Sequence, residues 1–516
     1  MNTRKTIRAL LGGVVLVSSC AAIPIHAKTL YVEKFGTPGP CSKSTPCGNI
    51  NDALLISAKN DKILVGPGVY EESLLIETPG LALQSTSGLY VTHIRADADG
   101  SLIGNPAVTI LSDKVKLGKK GGKGFTIRSR NAPAVVAGMD ADPVTPFACS
   151  LDPDLGIYVI DRDLSSMVEV SGLRIEGNQI NTHLDSPALA NVPEAPVGCD
   201  METVEFGPHL PSVHVVANDA TILSNVLLGE GTVVADMGAV FSKVTFQDNI
   251  VKFLPETDEF ESFPEGGVFT TAERATIKGN TIEDWRADGL KGMSGTGIES
   301  GNLFAKANTL VSNNVVSGFS YGISSGNSKS VEKNLVRHVS LAGIASFLDK
   351  KVVSNTINSS LTGAGPGFAG ILLEEMNKGI VTSNNVSDFD APGAWIYNPA
   401  GEALEGGGVI SKFNNNNFYG NDTSVARCGV FIEDSGNAFK MRKNFYGDTT
   451  DPLVMPEMLE SEEVGYYSGP AAVGASDAIC VSNGLIDGVT GEIINVDIGP
   501  TNKPNAVKAI FKKELL

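Results

Sequence analysis

The sequence predicts an all-β solenoid, a stack of short coils along one axis, and three observations predict it. A short pattern recurs in fixed order, the segments that carry it are too short and too β-branched for helices, and each copy holds an Asn at the same place. Gly297-Ile298 leads to Val311-Ser312-Asn313-Asn314-Val315-Val316, and Gly322-Ile323 to Val331-Glu332-Lys333-Asn334-Leu335-Val336. Gly343-Ile344 leads likewise to Asn355 within Val352–Ile357, and Gly370-Ile371 to Asn384 within Val381–Val386. Spacings of about 20 to 34 residues suit a solenoid and not a domain with one closed core.

Apolar residues stand three before and two after each Asn, which reads as strand, sharp bend at Asn, next strand. Asn tolerates left-handed backbone angles, and its amide both donates and accepts. Asn side chains stacked at the roughly 4.8 Å strand spacing can therefore bond one another and satisfy a buried bend. The same core pattern recurs at Asn178, Asn225, Asn249, Asn280, Asn416 and Asn444, so ten copies follow in order.

This spacing resembles the right-handed parallel β-helix repeats of the pectin-lyase-like superfamily, over roughly residues 28 to 447. The resemblance implies a right-handed single-stranded parallel β-helix with a short N-terminal capping helix. Residues 448–516 are left as a C-terminal cap or a small appended region.

The first 27 residues read as an export leader: Arg4, Lys5 and Arg8, then an apolar run from Ala9 to Val17 too short to span a bilayer. Two cleavage readings stand. Val17-Ser18-Ser19-Cys20 resembles a lipobox, which would leave residues 1–19 as leader and a lipid on Cys20. Ile25-His26-Ala27 offers ordinary cleavage before Lys28. Either reading places the protein outside the cytoplasm: periplasmic, extracellular or anchored at the outer membrane. The other six of seven Cys can pair, and neighbourhood suggests Cys41 with Cys47, Cys149 with Cys199 and Cys428 with Cys480.

Formal net charge is −18, and about −21 once the three basic residues of the leader are gone. That disfavours nucleic acid and anionic membranes as partners, leaving membrane contact only through a lipid on Cys20. It also opposes general binding of acidic polysaccharides unless a local basic patch or bridging Ca²⁺ supplies the attraction.

In chain order, Thr29–Val32 reads as the first strand and 49–59 as an amphipathic helix with Asn49 or Asn51 as its cap. Strands follow at 62–65, 73–76 and 81–83. The opening resembles the N-terminal coil of pectin-lyase-like proteins, where a helix closes an end that would otherwise expose core and a pairing edge. Gly68-Val69-Tyr70-Glu71-Glu72 resembles the Gly-x-Tyr-x-Glu of pectin methylesterases, an element read as structural. The tract Lys119-Lys120-Gly121-Gly122-Lys123-Gly124 reads as a solvated turn, not a phosphate loop. A Pro-rich, acidic insertion spans 181–211, and shorter ones fall at 255–265 and 391–408. Insertions of this kind often build a binding wall.

Chemistry is thinly marked. The Asp-Asp and Gly-His-Gly motifs of polygalacturonases do not occur, and Gln247-Asp248-Asn249 only imitates a methylesterase motif because Asn249 belongs to the repeat. A lyase needs a base beside a neutralised carboxylate. Two clusters are candidates: Arg286, Asp288 and Lys291 beside Trp285, and Lys329, Lys333, Arg337 and His338, of which Arg337-His338 distantly resembles the Arg-His of chondroitinase-B and alginate-lyase-like β-helices. Each has a plain alternative as a solvated turn or a surface ion pair. Counting four from the strand-start Gly aligns Glu374 with Glu433. Tyr397 stands between them if Gly393 starts the intervening coil, and Lys412 if Gly408 does; the salt-bridge ladder with Lys412 is the favoured register. No cofactor is marked, and Ca²⁺ on surface acids has no sequence signature. The favoured reading is an exported β-helix that binds glycans or a surface partner. The alternative is a polysaccharide lyase or glycoside hydrolase.

Overall fold

The computed structural model describes most of residues 27–130, strands between 150 and 183, most of 212–253, 266–284, 295–301 and 308–359, the coils from 369 to 446, and isolated strands as far as 497. Residues 1–26 and 498–516 lie outside the described residues, and with them the leader, Cys20 and both cleavage readings.

The chain winds through three faces in turn. Among the described residues the first sheet has fifteen strands and the second thirteen, while the third face is built from a five-stranded and an eight-stranded sheet. Within these faces every neighbouring pair is parallel and comes from successive turns of the chain, such as Leu310–Ser312 on Ser330–Glu332 on Lys351–Val353. This is a right-handed parallel β-helix.

Register turns the repeat into columns. On the first sheet Phe246, Ile277, Val311, Val331, Val352 and Val381 stack inward, and all are buried. The second sheet answers with Val251, Ile282, Val316, Val336, Ile357 and Val386. Each such side chain contributes roughly 1.5–3 kcal/mol by leaving water. Alternation along the strands sets which residues face in, since neighbours in a strand point to opposite faces.

The corner from first to second sheet has two residues between the strands in every coil from Gly177-Asn178 to the corner at Asn444. All ten predicted Asn occupy its second position and form one unbroken column. The backbone N–H and the Nδ2 of each donate to Oδ1 of the next: Asn314 to Asn334 at 3.0 Å and 3.0 Å, Asn334 to Asn355 at 3.0 Å and 3.0 Å, Asn355 to Asn384 at 3.0 Å and 3.0 Å. The column runs from Asn178 to Asn444, and each Nδ2 also donates to a backbone carbonyl of the coil before it, as Asn355 does to Val331 at 3.0 Å. The side-chain amides of the column are thereby satisfied.

One detail departs from the sequence reading. The left-handed residue is the one before the ladder Asn: Asn313 (φ 56°), Lys333 (φ 57°), Ser354 (φ 58°) and Ser383 (φ 60°). The bend lies at this exposed or half-exposed position, which leaves the Asn in an ordinary conformation with its amide aimed along the stack.

The strand-start Gly also has a steric cause. A Cβ on Gly322 would strike the side chain of Val336 and come within 2.5 Å of the Gly343 carbonyl, and Gly343 and Gly370 are hemmed in the same way. Here the chain turns inward too close to its neighbours for any side chain.

At the N-terminal end the helix is shorter than predicted, Ile50–Leu55, with Ile50 and Ala53 buried. Asn49 stands at the N-cap position, but its side chain makes no capping bond. The carboxylate of Glu72 accepts from the backbone N–H of Ile50 and of Asn51, both at 2.9 Å. The Gly-x-Tyr-x-Glu segment is thus structural: buried Tyr70 donates its hydroxyl to the Gly66 carbonyl at 3.2 Å, and Glu72 anchors the helix on the first coil. Cys41 and Cys47 form the predicted disulfide. Cys149 and Cys199 lie outside the described residues. Cys428 and Cys480 sit on adjacent third-sheet strands, where the register sets Cys428 against Ala478 and Cys480 against Phe431. Through Ala478–Val481 and Val496–Asp497 the tail adds strands to the third and first sheets.

Candidate functional site

Connections between strands are unequal, and their placement picks out one face. The first-to-second corner is fixed by the Asn ladder. The connections that vary attach to the two edges of the third sheet, from Asp284 to Thr296 and from Asn358 to Ala369 on one side, from Gly301 to Leu310 and from Tyr397 to Val409 on the other. The predicted insertion at 181–211 attaches at the same edge, between Gln179–His183 and Val213–Val215. A solenoid tolerates added chain where no ladder constrains it, and such segments carry function.

The outward side chains of that face change character along the axis. One column runs Glu299, Ser324, Ala345, Leu372, Trp395, Phe431 in register. The next runs Phe347, Glu374, Tyr397, Asp434, with a bulge between Ile396 and Tyr397. Trp395 packs edge-on against Phe431 with ring centroids 5.4 Å apart. Phe431 is buried, Trp395 half-buried and Tyr397 exposed, so the strip offers a tiered aromatic surface beside the Glu374 carboxylate. Burial raises the pKa of the Tyr321 phenol, and the charge of Glu374 raises it further, so these two groups share one neighbourhood across two rungs.

The register choice left open in the sequence is settled here, against the favoured version. Gly393 starts the intervening coil, Tyr397 follows Glu374, and Lys412 lies on the first sheet. The third member is Asp434 in place of Glu433, because the bulge inserts one residue into the count. Leu372, Phe347 and Phe431 were not singled out from sequence. Counting from the strand-start Gly would have reached them.

Arg337 stands on the outer face of the second sheet and pairs with Glu283 at 3.3 Å, reaching past Ser317 on the intervening coil. His338 begins the turn beyond it with φ 53°, and its backbone N–H donates to the Asn358 carbonyl at 3.2 Å. Neither belongs to the aromatic face. Arg286, Asp288, Lys291 and Trp285 lie outside the described residues. Lys333 occupies a ladder corner and Lys329 the opposite corner, so the structure does not bring them together. Among the described residues no group of three or more His, Cys, Asp or Glu could hold a metal ion. Among them, too, no helix is long and apolar enough to cross a membrane.

No family model matches the sequence, and no curated protein matches it. Among solved structures the chain is similar to a GH136 lacto-N-biosidase from Eubacterium ramulus, at 9% identity over 79% of this chain and 64% of that one, with a TM-score of 0.31. It is similar to a PL6 family alginate lyase at 11% identity, over 92% and 60%, with a TM-score of 0.36. A mannuronan C-5 epimerase A-module from Azotobacter vinelandii aligns at 12% identity over 75% and 86%, with a TM-score of 0.29. The chain spans less than two thirds of the length of the first two. Likeness at this level assigns no activity.

Proposed function

We propose that the protein is an exported β-helix that binds a glycan chain along its third face. One observation carries this reading: Trp395, Tyr397 and Glu374 stand on neighbouring rungs of the one face that the variable connections frame. Sugar rings present flat C–H surfaces that pack on aromatic side chains, and their hydroxyls need polar partners. An aromatic platform with one carboxylate beside it meets both needs. Rungs about 4.8 Å apart suit a linear ligand lying along the axis.

The test is binding of the purified mature chain to pectin, alginate, chondroitin and xylan, with Trp395→Ala and Tyr397→Ala beside it. We expect at least one polymer to bind, and each substitution to weaken it tenfold or more, which is about 1.4 kcal/mol. Absence of binding across the panel, or binding that ignores both substitutions, overturns the reading.

A hydrolase reading has one observation in its favour. The backbone register sets positions 374 and 434 two rungs apart in one column, about 9.6 Å at roughly 4.8 Å per rung, at the upper end of the roughly 6.5–9.5 Å that inverting glycosidases keep between carboxyl groups. Release of reducing ends that Glu374→Gln abolishes would establish it. Unsaturated products would point to a lyase.

A further inference from the structure

Far from the aromatic face, the first four coils gather positive charge on an otherwise acidic protein. The turn Lys119–Gly124 links first and second sheets within one coil, and its three lysines are exposed. On the first-sheet flank Lys62 and Lys116 share a column, with only Ala82 between them. On the second-sheet flank Arg95 and Arg128 are register neighbours, both exposed. Among the described residues none of these seven cations has an ion-pair partner.

Nearby acids do not cancel the charge. Glu176 is taken by Arg174 at 2.9 Å, Glu72 caps the helix, Asp61 pairs with Lys28 at 3.9 Å and Asp113 accepts from the Ser171 N–H at 2.8 Å, while Glu71 stands beside Arg95 at the near end of the arginine column. Lys62 registers the crowding: desolvation lowers its pKa, and Lys123 and Lys119 lower it further. Tyr90, 85% exposed, projects from the same corner one coil earlier, where Gly88 abuts the carbonyl of Gly122. Like charges held together without partners cost stability, which bound anions would return.

We propose that this N-terminal corner is a second binding surface, separate from the third face, for a linear acidic polysaccharide carrying carboxylate or sulfate groups. Its shape argues for a chain. The cations lie on both flanks of a convex corner, so a flat membrane cannot meet both sets at once, whereas a flexible polymer can follow the edge. Tyr90 is a single ring, and single-stranded nucleic acid is held by aromatic side chains in series on which its bases stack. A glycan needs no such series. The local patch thus supplies what the net charge of the whole chain withholds.

The experiment measures binding of the mature chain to polygalacturonate and alginate at rising NaCl, with neutral xylan, single-stranded DNA and phosphatidylglycerol vesicles as comparison probes. Two variants address the corner: Lys119→Glu/Lys120→Glu/Lys123→Glu, in a turn where a Cβ added at Gly121 or Gly122 would meet nothing, and Arg95→Ala/Arg128→Ala. Each should weaken acidic-polymer binding at least tenfold, flatten its salt dependence, leave xylan binding unchanged, and leave the thermal midpoint no lower than that of the wild type. Trp395→Ala should leave the salt-dependent binding intact, so failure of the third-face reading is seen separately. Unchanged binding in both corner variants overturns the proposal. So does equal or tighter binding to DNA or to the vesicles.

Discussion

The coils before and after residue 173 solve the same corner in opposite ways. From Asn178 onward the passage from first to second sheet is a two-residue bend locked by a buried amide column, and added chain appears beside the third sheet. In two of the earlier coils the same corner is open: Thr86 to Val91 and Lys119 to Phe125 bridge it with longer turns bearing exposed Tyr90 and three lysines, whereas the coil before them closes it with Gly66-Pro67 and no amide. Where a ladder fixes a corner, that corner has no freedom to vary and function moves elsewhere. Where no ladder runs, the corner itself can be decorated.

The sharpest way to break this contrast is to remove a rung. Asn355→Ala would orphan the backbone N–H of Asn334, leave its Nδ2 with the Val311 carbonyl as its one remaining acceptor, and deprive the Val331 carbonyl of the Asn355 donor. At about 1–3 kcal/mol for each buried unsatisfied group, the loss should reach several kcal/mol in denaturant unfolding. A loss under about 1 kcal/mol would mean that the column is ornament and the contrast empty. Next in size is Gly322→Ala, where the new methyl meets Val336 and the Gly343 carbonyl; overpacking of this kind costs about 1–3 kcal/mol. An equal change at Gly121, which faces open space but has φ 87°, should cost less, and only through backbone strain.

What was readable in advance follows the same line. The ten ladder Asn could be read from sequence because their corner never changes length, so a pattern of local spacing maps onto a column in space. The aromatic face could not be read in full, because its register depends on connections of unequal length and on the bulge that exchanges Glu433 for Asp434. The basic corner was harder still. Its lysines were individually visible as a solvated turn, but Lys62, Arg95 and Arg128 join them only when coils widely separated in sequence are stacked. The left-handed position was misassigned for a local reason: Asn is the residue type that tolerates it, yet here the amide is needed inside and the bend falls to Asn313, Lys333 or Ser354.

A smaller effect separates the interior of the ladder coils from that of the early ones. Asp349 is buried at the third-to-first corner, accepting from Ser328 N–H at 2.6 Å and from Ser346 Oγ at 2.8 Å. Burial pushes its carboxyl from 3.8 up to about 7, against the pull of those hydrogen bonds. A folded-state value above the unfolded one means this group's contribution is intact below about pH 4 and is lost as pH rises through about 7. Asp349→Asn should therefore gain on the wild type in urea midpoint between pH 4 and pH 8. A parallel pH course for the two proteins would show that the carboxyl titrates normally.

The smallest expected change tests the open corner from the side of stability. Lys119, Lys120 and Lys123 are exposed and touch no carboxylate, so replacing them with Gln removes repulsion and breaks no contact. Interactions between exposed charges are weak, so the midpoint should rise by a few tenths of a kcal/mol at low salt and not at all in high salt, where screening already removes the repulsion. A matching substitution of Lys333, at a ladder corner, keeps a side chain at the same left-handed position, so its backbone strain is unchanged and stability should move by no more than a few tenths of a kcal/mol. If the triple substitution instead destabilised the fold, the lysines would be serving the coil, and the early corner would hold the structure together just as the amide column does.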